Sequence, residues 1–246
     1  DRSCEATNAD RWGKTGHPTW DSSRIIKYHY ECTYPHCRKP GMIDLSKTDK
    51  KTDNEYFPPL NEPNIMHYLD KDWVAPQSSY KDAMVKSMTD LGKLGAIFIG
   101  YNVKYGNAIG TLKDVPDDQK LETPVAENLM AGLAIGMSFE GFLPVLYYER
   151  HDFMMVAADA IVNHIDKIER ISHGEFKCPV IIRAVTADAG PFYSGITHSQ
   201  DFTSLFRTAV SFPVLDPVNG AGVTACFLAA RRSGKPCMII ERKSRY

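Results

Sequence analysis

Five short apolar runs, set between segments of helical period, constrain the fold of this chain more than any other feature. They are AIFIG at 96–100, LPVLYY at 143–148, PVIIRAV at 179–185, FPVL at 212–215 and KPCMIIE at 235–241. None alternates apolar with polar residues, so each reads as a strand covered on both faces. Between them, residues 79–93, 123–137, 153–170, 201–209 and 220–232 read as helices; in the first, Ala83, Met84, Met88 and Leu91 recur at helical spacing and Ser78 or Ser79 is the expected cap. Residues 102–120 contain glycine and polar side chains and read as a loop. Strands alternating with helices predict an α/β fold, a mainly parallel sheet flanked by helices on both faces. Ligands of such sheets sit outside the carboxyl ends of the strands. That places residues 148–153 and 186–198 on the functional edge.

The regular pattern does not reach the N-terminus. Residues 1–65 are rich in Asp, Lys, Thr, Tyr and Pro, carry the polar run KTDKKTDN at 47–54 and the pair Pro58–Pro59, and show no sustained period. They are expected to form an irregular extension, with residues 66–246 as the α/β domain. The extension holds Cys4, His17, His29, Cys32, His36 and Cys37. Zinc takes such ligands, but the spacing matches no common knuckle, so ordinary side chains are expected and no metal site.

With 43% hydrophobic and 24% charged residues, the 246-residue chain has the composition of an ordinary globular protein. Its net charge of −1 and its lack of a long basic run give no electrostatic case for nucleic acid. No apolar stretch approaches the ~18 residues that a membrane span needs. Cys178, Cys226 and Cys237 lie in apolar segments and read as free buried thiols, which points to a reducing, cytoplasmic compartment. The chain shows no signal peptide and opens Asp1-Arg2-Ser3 without methionine, an N-terminus expected to be processed or incompletely represented.

Glu127 is a lone carboxylate in TPVAENLMAGLAIGM (123–137), a segment otherwise small and apolar. Pro124 suits the first turn of a helix and Thr123 its cap. Two readings fit the glutamate. It could face water at a helix start, where the dipole favours a carboxylate. Or it is kept dry, with a raised pKa, to exchange a proton with a ligand.

Four segments stand together: Glu127 in its TPVAE context, YYERHDF at 147–153, DAIVN at 159–163 and HSQ at 198–200. Their order and spacing over about residues 77–246 resemble the pyrimidine-binding domain of transketolase-like, thiamine-diphosphate-dependent enzymes, and among these the β subunit of 2-oxoacid dehydrogenase decarboxylase components. The resemblance implies that Glu127 hydrogen-bonds N1′ of the cofactor's aminopyrimidine and promotes the imino tautomer that activates the thiazolium carbon. It implies that Phe153, 26 residues later, stacks on the ring. Tyr148 is expected to contribute to the cofactor pocket, and His198 to face the substrate and exchange protons with it. Against these stand plainer readings, Phe153 as a core side chain and His198 as a cap of the following helix. Arg150 and His151 sit at the strand end, where they are expected either to meet substrate or to face the surface. They differ from the polar and aromatic residues expected there in the dehydrogenases.

The family's Gly-Asp-Gly motif with a downstream Asn, which holds Mg²⁺ and diphosphate, is absent from this sequence. The chain stops at Tyr246, where a β subunit would continue. The resemblance therefore implies either a fragment of a longer protein or a chain that needs a diphosphate-binding α-type partner, as in an α2β2 heterotetramer, with a small-molecule 2-oxo acid or ketose as substrate. A split transketolase half acting on sugar phosphates and a non-catalytic scaffold with the same fold are the alternatives.

Overall fold

The computed structural model describes residues 65–188 and 193–246. The N-terminal extension, its histidines and cysteines, and residues 189–192 of the segment leading to His198 lie outside the described residues.

The elements follow in the order α1 (Tyr80–Lys93), β1 (Ala96–Gly100), α2 (Asn107–Gly110), β2 (Lys120–Glu122), α3 (Glu127–Phe139), β3 (Leu143–Tyr148), α4 (His151–Met154), α5 (Ile168–Ile171), β4 (Ile181–Thr186), α6 (Thr203–Ala209), β5 (Val214–Leu215), α7 (Gly220–Ser233) and β6 (Cys237–Arg242). The strands form one six-stranded sheet in the order β2-β1-β3-β4-β6-β5, with every pair parallel. Period-two alternation divides the strand side chains between two cores. Phe98, Val145, Ile181 and Ile239 join a cluster with α1 and α7. Ile99, Leu146, Ile182 and Ile240 join another with α3, the helical ribbon after β3 and α6. Both faces are covered, as the uninterrupted apolar runs require.

The long helices are punctuated as their sequences suggest. Ser79 caps α1, its hydroxyl accepting from Asp82 N–H at 3.1 Å. Asn219 caps α7 through Gly222 N–H at 2.8 Å, and Gly234 ends it in the left-handed region at φ 61°. Gly220 has no room for a side chain: a β-carbon there would lie 2.2 Å from the Ser78 carbonyl oxygen. The starts of α1 and α7 can meet only across a glycine.

Three segments depart from the sequence reading. The 102–120 stretch is not wholly loop: α2 is a left-handed turn through Ala108 and Ile109, and Lys120 opens β2. This edge strand was invisible to an apolar criterion because polar anchors hold it. Lys120 Nζ donates to Asn107 Oδ1 (2.7 Å) and Asp117 Oδ1 (3.1 Å), and the Glu122 carboxylate accepts the backbone N–H groups of Asn102 (2.6 Å) and Lys104 (2.7 Å). Next, Thr123 does not cap α3. Its N–H bonds Gly100 O at 3.0 Å, which prolongs the strand, so the helix starts only at Glu127, with Ala126 before it and no side-chain cap. Finally, the single helix expected over 153–170 is a broken ribbon: α4, a 3-10 turn at Met155–Ala157, a π-helix at Ala160–Ile165, then α5. Apolar period does not distinguish hydrogen bonding to i−4 from the i−5 bond seen from Asp166 N–H to Ile161 O.

The chain runs from β1 outward to β2 and then back across β1 to β3. The connections after β1 and β3 thus leave in opposite directions and open a crevice at the carboxyl edge, where this architecture binds ligands.

Candidate functional site

A cleft of about 80 Å³ lies at that switch, lined by Tyr101, Val125, Glu127, Met130, Tyr147, Tyr148, Glu149 and Phe153. Glu127 reaches it as the first residue of α3, and Phe153 from α4, just past the end of β3. Tyr148, the last residue of β3, ties these elements together: its hydroxyl donates to the Glu127 carbonyl at 3.2 Å. Burial, and then the Glu127 charge, push the Tyr148 pKa upward, so this phenol stays a neutral donor. Gly100 lets β1 and β3 close beside the cleft, because a β-carbon there would meet Tyr147 O at 2.6 Å.

Glu127 is half-buried rather than dry. Around it Val125 and Leu129 are 65% and 59% exposed, so among the described residues one side of the α3 start is left uncovered. Spacing could not reveal this, because the helix packs its other face, through Met130, Ala131 and Ala134, onto the sheet.

His198 joins the same site. Its ring meets Phe153 edge-on, with centroids 5.1 Å apart and planes at 89°. Thr197 Oγ1 lies 2.8 Å from His198 Nδ1, and His198 N–H closes a turn onto Gly195 O at 3.1 Å. His198 does not cap the helix that follows, since α6 starts after Phe202 without a side-chain cap. Glu127, Phe153, Tyr148 and His198 are thus gathered at one edge from elements up to 71 residues apart in sequence, taking 198 less 127.

Arg150 and His151 separate. Arg150 stays at the edge, where Nη2 donates to Ser194 Oγ at 3.1 Å and Nη1 is buried without a partner among the described residues. His151 is withdrawn, which corrects its assignment as a substrate or surface residue. It is fully buried, its ring stacked near Phe206 and edge-on to Phe202, both at 6.0 Å, with Nδ1 3.1 Å from Thr186 Oγ1. Burial lowers its pKa to about 4 against the opposing charges of Asp201 and Asp152, which leaves a neutral core imidazole at pH 7. The cause is nonlocal: β4 and α6 enclose the start of α4, which no local pattern could report.

Sequence reasoning passed over Glu149, the second carboxylate of the cleft, held by Tyr147 OH at 2.9 Å. Its signal was position alone, one residue past a strand end. It also missed Lys243, 3% exposed after β6, with Nζ 4.9 Å over the Tyr246 ring. Burial brings this amine's pKa down to about 8, with Glu149 and Glu241 opposing. A larger hollow of about 380 Å³ lies at the other edge, at the amino ends of β4, β5 and β6, among Asp166, Cys178, Phe212 and Lys235. There Asp166 is engaged by Ser211 N–H (2.7 Å) and Oγ (2.6 Å). The smaller cleft is the candidate site because it lies at the switch and brings carboxylates to aromatic walls.

A model of the transketolase pyrimidine-binding domain matches residues 74–246. The chain belongs to this family. Over 176 residues it is 27% identical to a pyruvate dehydrogenase E1 component subunit beta of Rickettsia felis, covering 70% of this chain and 53% of that one. Over 185 residues it is 25% identical to a 2-oxoisovalerate dehydrogenase subunit beta of Bacillus subtilis, covering 74% and 54% respectively. The chain spans about half the length of these curated relatives. A solved split-gene transketolase, described as an inactive beta4 tetramer, superposes with a TM-score of 0.54 at 20% identity, over 67% of this chain and 52% of that one. At that identity the likeness shows the fold.

Proposed function

We propose that this chain is the pyrimidine-binding, β-type part of a thiamine-diphosphate-dependent enzyme that acts on a 2-oxo acid, working with a diphosphate-binding partner subunit. The observation that carries the proposal is the pairing of Glu127 with Phe153 across a cleft at the sheet's switch point, in a chain of the pyrimidine-binding family. The residues fit the ring half of the cofactor: a half-buried carboxylate for a ring nitrogen, and aromatic walls for a flat heterocycle. At about 80 Å³ the cleft is well below the ~300–1,000 Å³ of a complete small-molecule site, which supports a site finished by another chain.

When bound, thiamine diphosphate supplies an acidic thiazolium carbon that acts as nucleophile toward a carbonyl and as electron sink for decarboxylation. Glu127 would hold and return a proton at the aminopyrimidine N1′, and a second chain over Val125 and Leu129 would exclude water from it. Phe153 would stack on the ring, while Tyr148 keeps the start of α3 in register with β3. His198, against Phe153, would exchange protons on the substrate side, and Arg150 would offer charge to a substrate carboxylate. The diphosphate and Mg²⁺ are assigned to an α-type partner in an α2β2 assembly, because the dehydrogenase relatives that the chain matches are β subunits. A cytoplasmic location is part of the proposal, supported by the buried free thiols of Cys178 and Cys237.

Calorimetric titration of thiamine diphosphate and Mg²⁺ tests the reading, run on this chain with and without its co-expressed diphosphate-binding subunit. Saturable binding is expected for the pair, and binding at least ~100-fold weaker for the chain alone, which lacks the charge-assisted contacts to the diphosphate. An assembled pair that binds no cofactor overturns it.

A further inference from the structure

Three residues that follow β3 hold three residues of the 193–200 segment. Arg150 Nη2 donates to Ser194 Oγ at 3.1 Å. Asp152 Oδ1 accepts both the backbone N–H and the side-chain amide of Gln200, each at 3.1 Å. Phe153 meets His198, which lies between the anchored Ser194 and Gln200, edge-on at 5.1 Å. His151, the first residue of α4, is turned into the core and seats this helix. The segment itself is nearly all surface: Tyr193, Ile196, Thr197 and Gln200 are exposed, so little apolar burial holds it.

These contacts differ in what they can enforce. An edge-on pair of rings tolerates sliding, and one arginine-to-hydroxyl bond is a single tether near solvent. Two donors of one residue meeting the same carboxylate oxygen fix both the place and the direction of the chain at 200, with charge-assisted bonds. His198 lies two residues before that anchor, in a turn closed by its own N–H on Gly195 O at 3.1 Å.

We propose that Asp152 is a positioning residue: by holding Gln200 it sets His198 against Phe153, and so fixes the substrate-side imidazole relative to the ring-binding wall of the cleft. The proposal rests on the reading of Glu127, Phe153 and His198 as one site. Asp152 touches neither reacting group; it acts through Gln200. Glu149, three residues earlier, is instead engaged by Tyr147 OH at 2.9 Å.

The test uses the full chain labelled at histidine and phenylalanine, and needs neither cofactor nor partner. In the unaltered protein, NMR should show cross-relaxation between the Phe153 and His198 rings and a ring-current shift of the His198 carbon-bound protons. Asp152→Ala should abolish both with native far-UV circular dichroism, while Asp152→Asn, which keeps an acceptor oxygen, should retain both. Gln200→Leu, a change at an exposed position that removes the amide donor, should weaken both and serves if Asp152→Ala does not fold. In the assembled enzyme, Asp152→Ala should lower kcat/KM by about 10- to 100-fold through misplacement of His198, with Asp152→Asn restoring most of it. A native-like Asp152→Ala protein that keeps the ring contact overturns the proposal, as does an Asp152→Asn protein that loses it. A complex that binds no thiamine diphosphate removes the functional reading instead, and leaves the ring contact to be scored by itself.

Discussion

Glu127→Gln is expected to lower turnover of the assembled enzyme by about 10³-fold or more, with the fold unchanged, the upper range of what a positioned proton-transfer group supplies. Glutamine keeps the length and hydrogen-bonding shape of the side chain but cannot hold a proton. The substitution is mild for stability because Glu127 stands half-buried at the first position of α3 and glutamine has nearly the same shape. What α3 loses is a carboxylate near its positive end, about 0.3–1 kcal/mol. The backbone tether from Tyr148 to the Glu127 carbonyl is untouched, so the helix start stays in register. Steady-state kinetics paired with thermal unfolding separates the two effects. A variant that folds and turns over at near-normal rate would remove Glu127 from the mechanism.

The largest stability effect is expected at a buried ion pair between two strands of the sheet. Arg183 on β4 and Glu241 on β6 are both fully buried, joined by Nε to Oε1 at 2.5 Å and Nη2 to Oε2 at 3.0 Å. Thr111 accepts from Arg183 Nη2 at 2.9 Å, Tyr246 donates to Glu241 Oε2 at 2.8 Å, and the guanidinium lies 4.9 Å over the Tyr147 ring. Burial opposes the arginine's charge, yet the Glu241 carboxylate more than compensates and holds its pKa above the usual value. Glu241→Ala strands that charge and should cost about 3–5 kcal/mol, read by urea unfolding. The double change Arg183→Met with Glu241→Leu should recover most of the loss, because removing both charges removes the desolvation problem. A loss under about 1 kcal/mol in the single variant would show the pair to be far better solvated than its burial implies.

How much of this was legible depends on how far apart the contributing residues lie. The strands with continuous apolar runs announce themselves, since a sheet covered on both faces leaves no polar side to show. β2 does not, because a charged edge strand is held by Asn107, Asp117 and the amides of 102 and 104 rather than by apolar burial. Glu127 was conspicuous as a carboxylate in a small-residue helix, and its spacing to Phe153 and His198 carried the family pattern. Its exposure was not readable, since that depends on what covers α3. His151 shows the same limit: adjacent in sequence to Arg150, it is claimed by Thr186 and Phe206, 35 and 55 residues away, taking 186 and 206 less 151. The anchor of Gln200 on Asp152 spans 48 residues between two ordinary polar side chains, and no local signal marks it.

The central claim is that Glu127 and Phe153 hold the cofactor ring. A structure of the assembled complex with thiamine diphosphate and Mg²⁺ tests this most directly. The expected result is an aminopyrimidine against the Phe153 ring, with N1′ about 2.6–3.2 Å from a Glu127 carboxylate oxygen and the partner subunit over Val125 and Leu129. A cofactor ring seated elsewhere, with Glu127 still open to solvent, would contradict it.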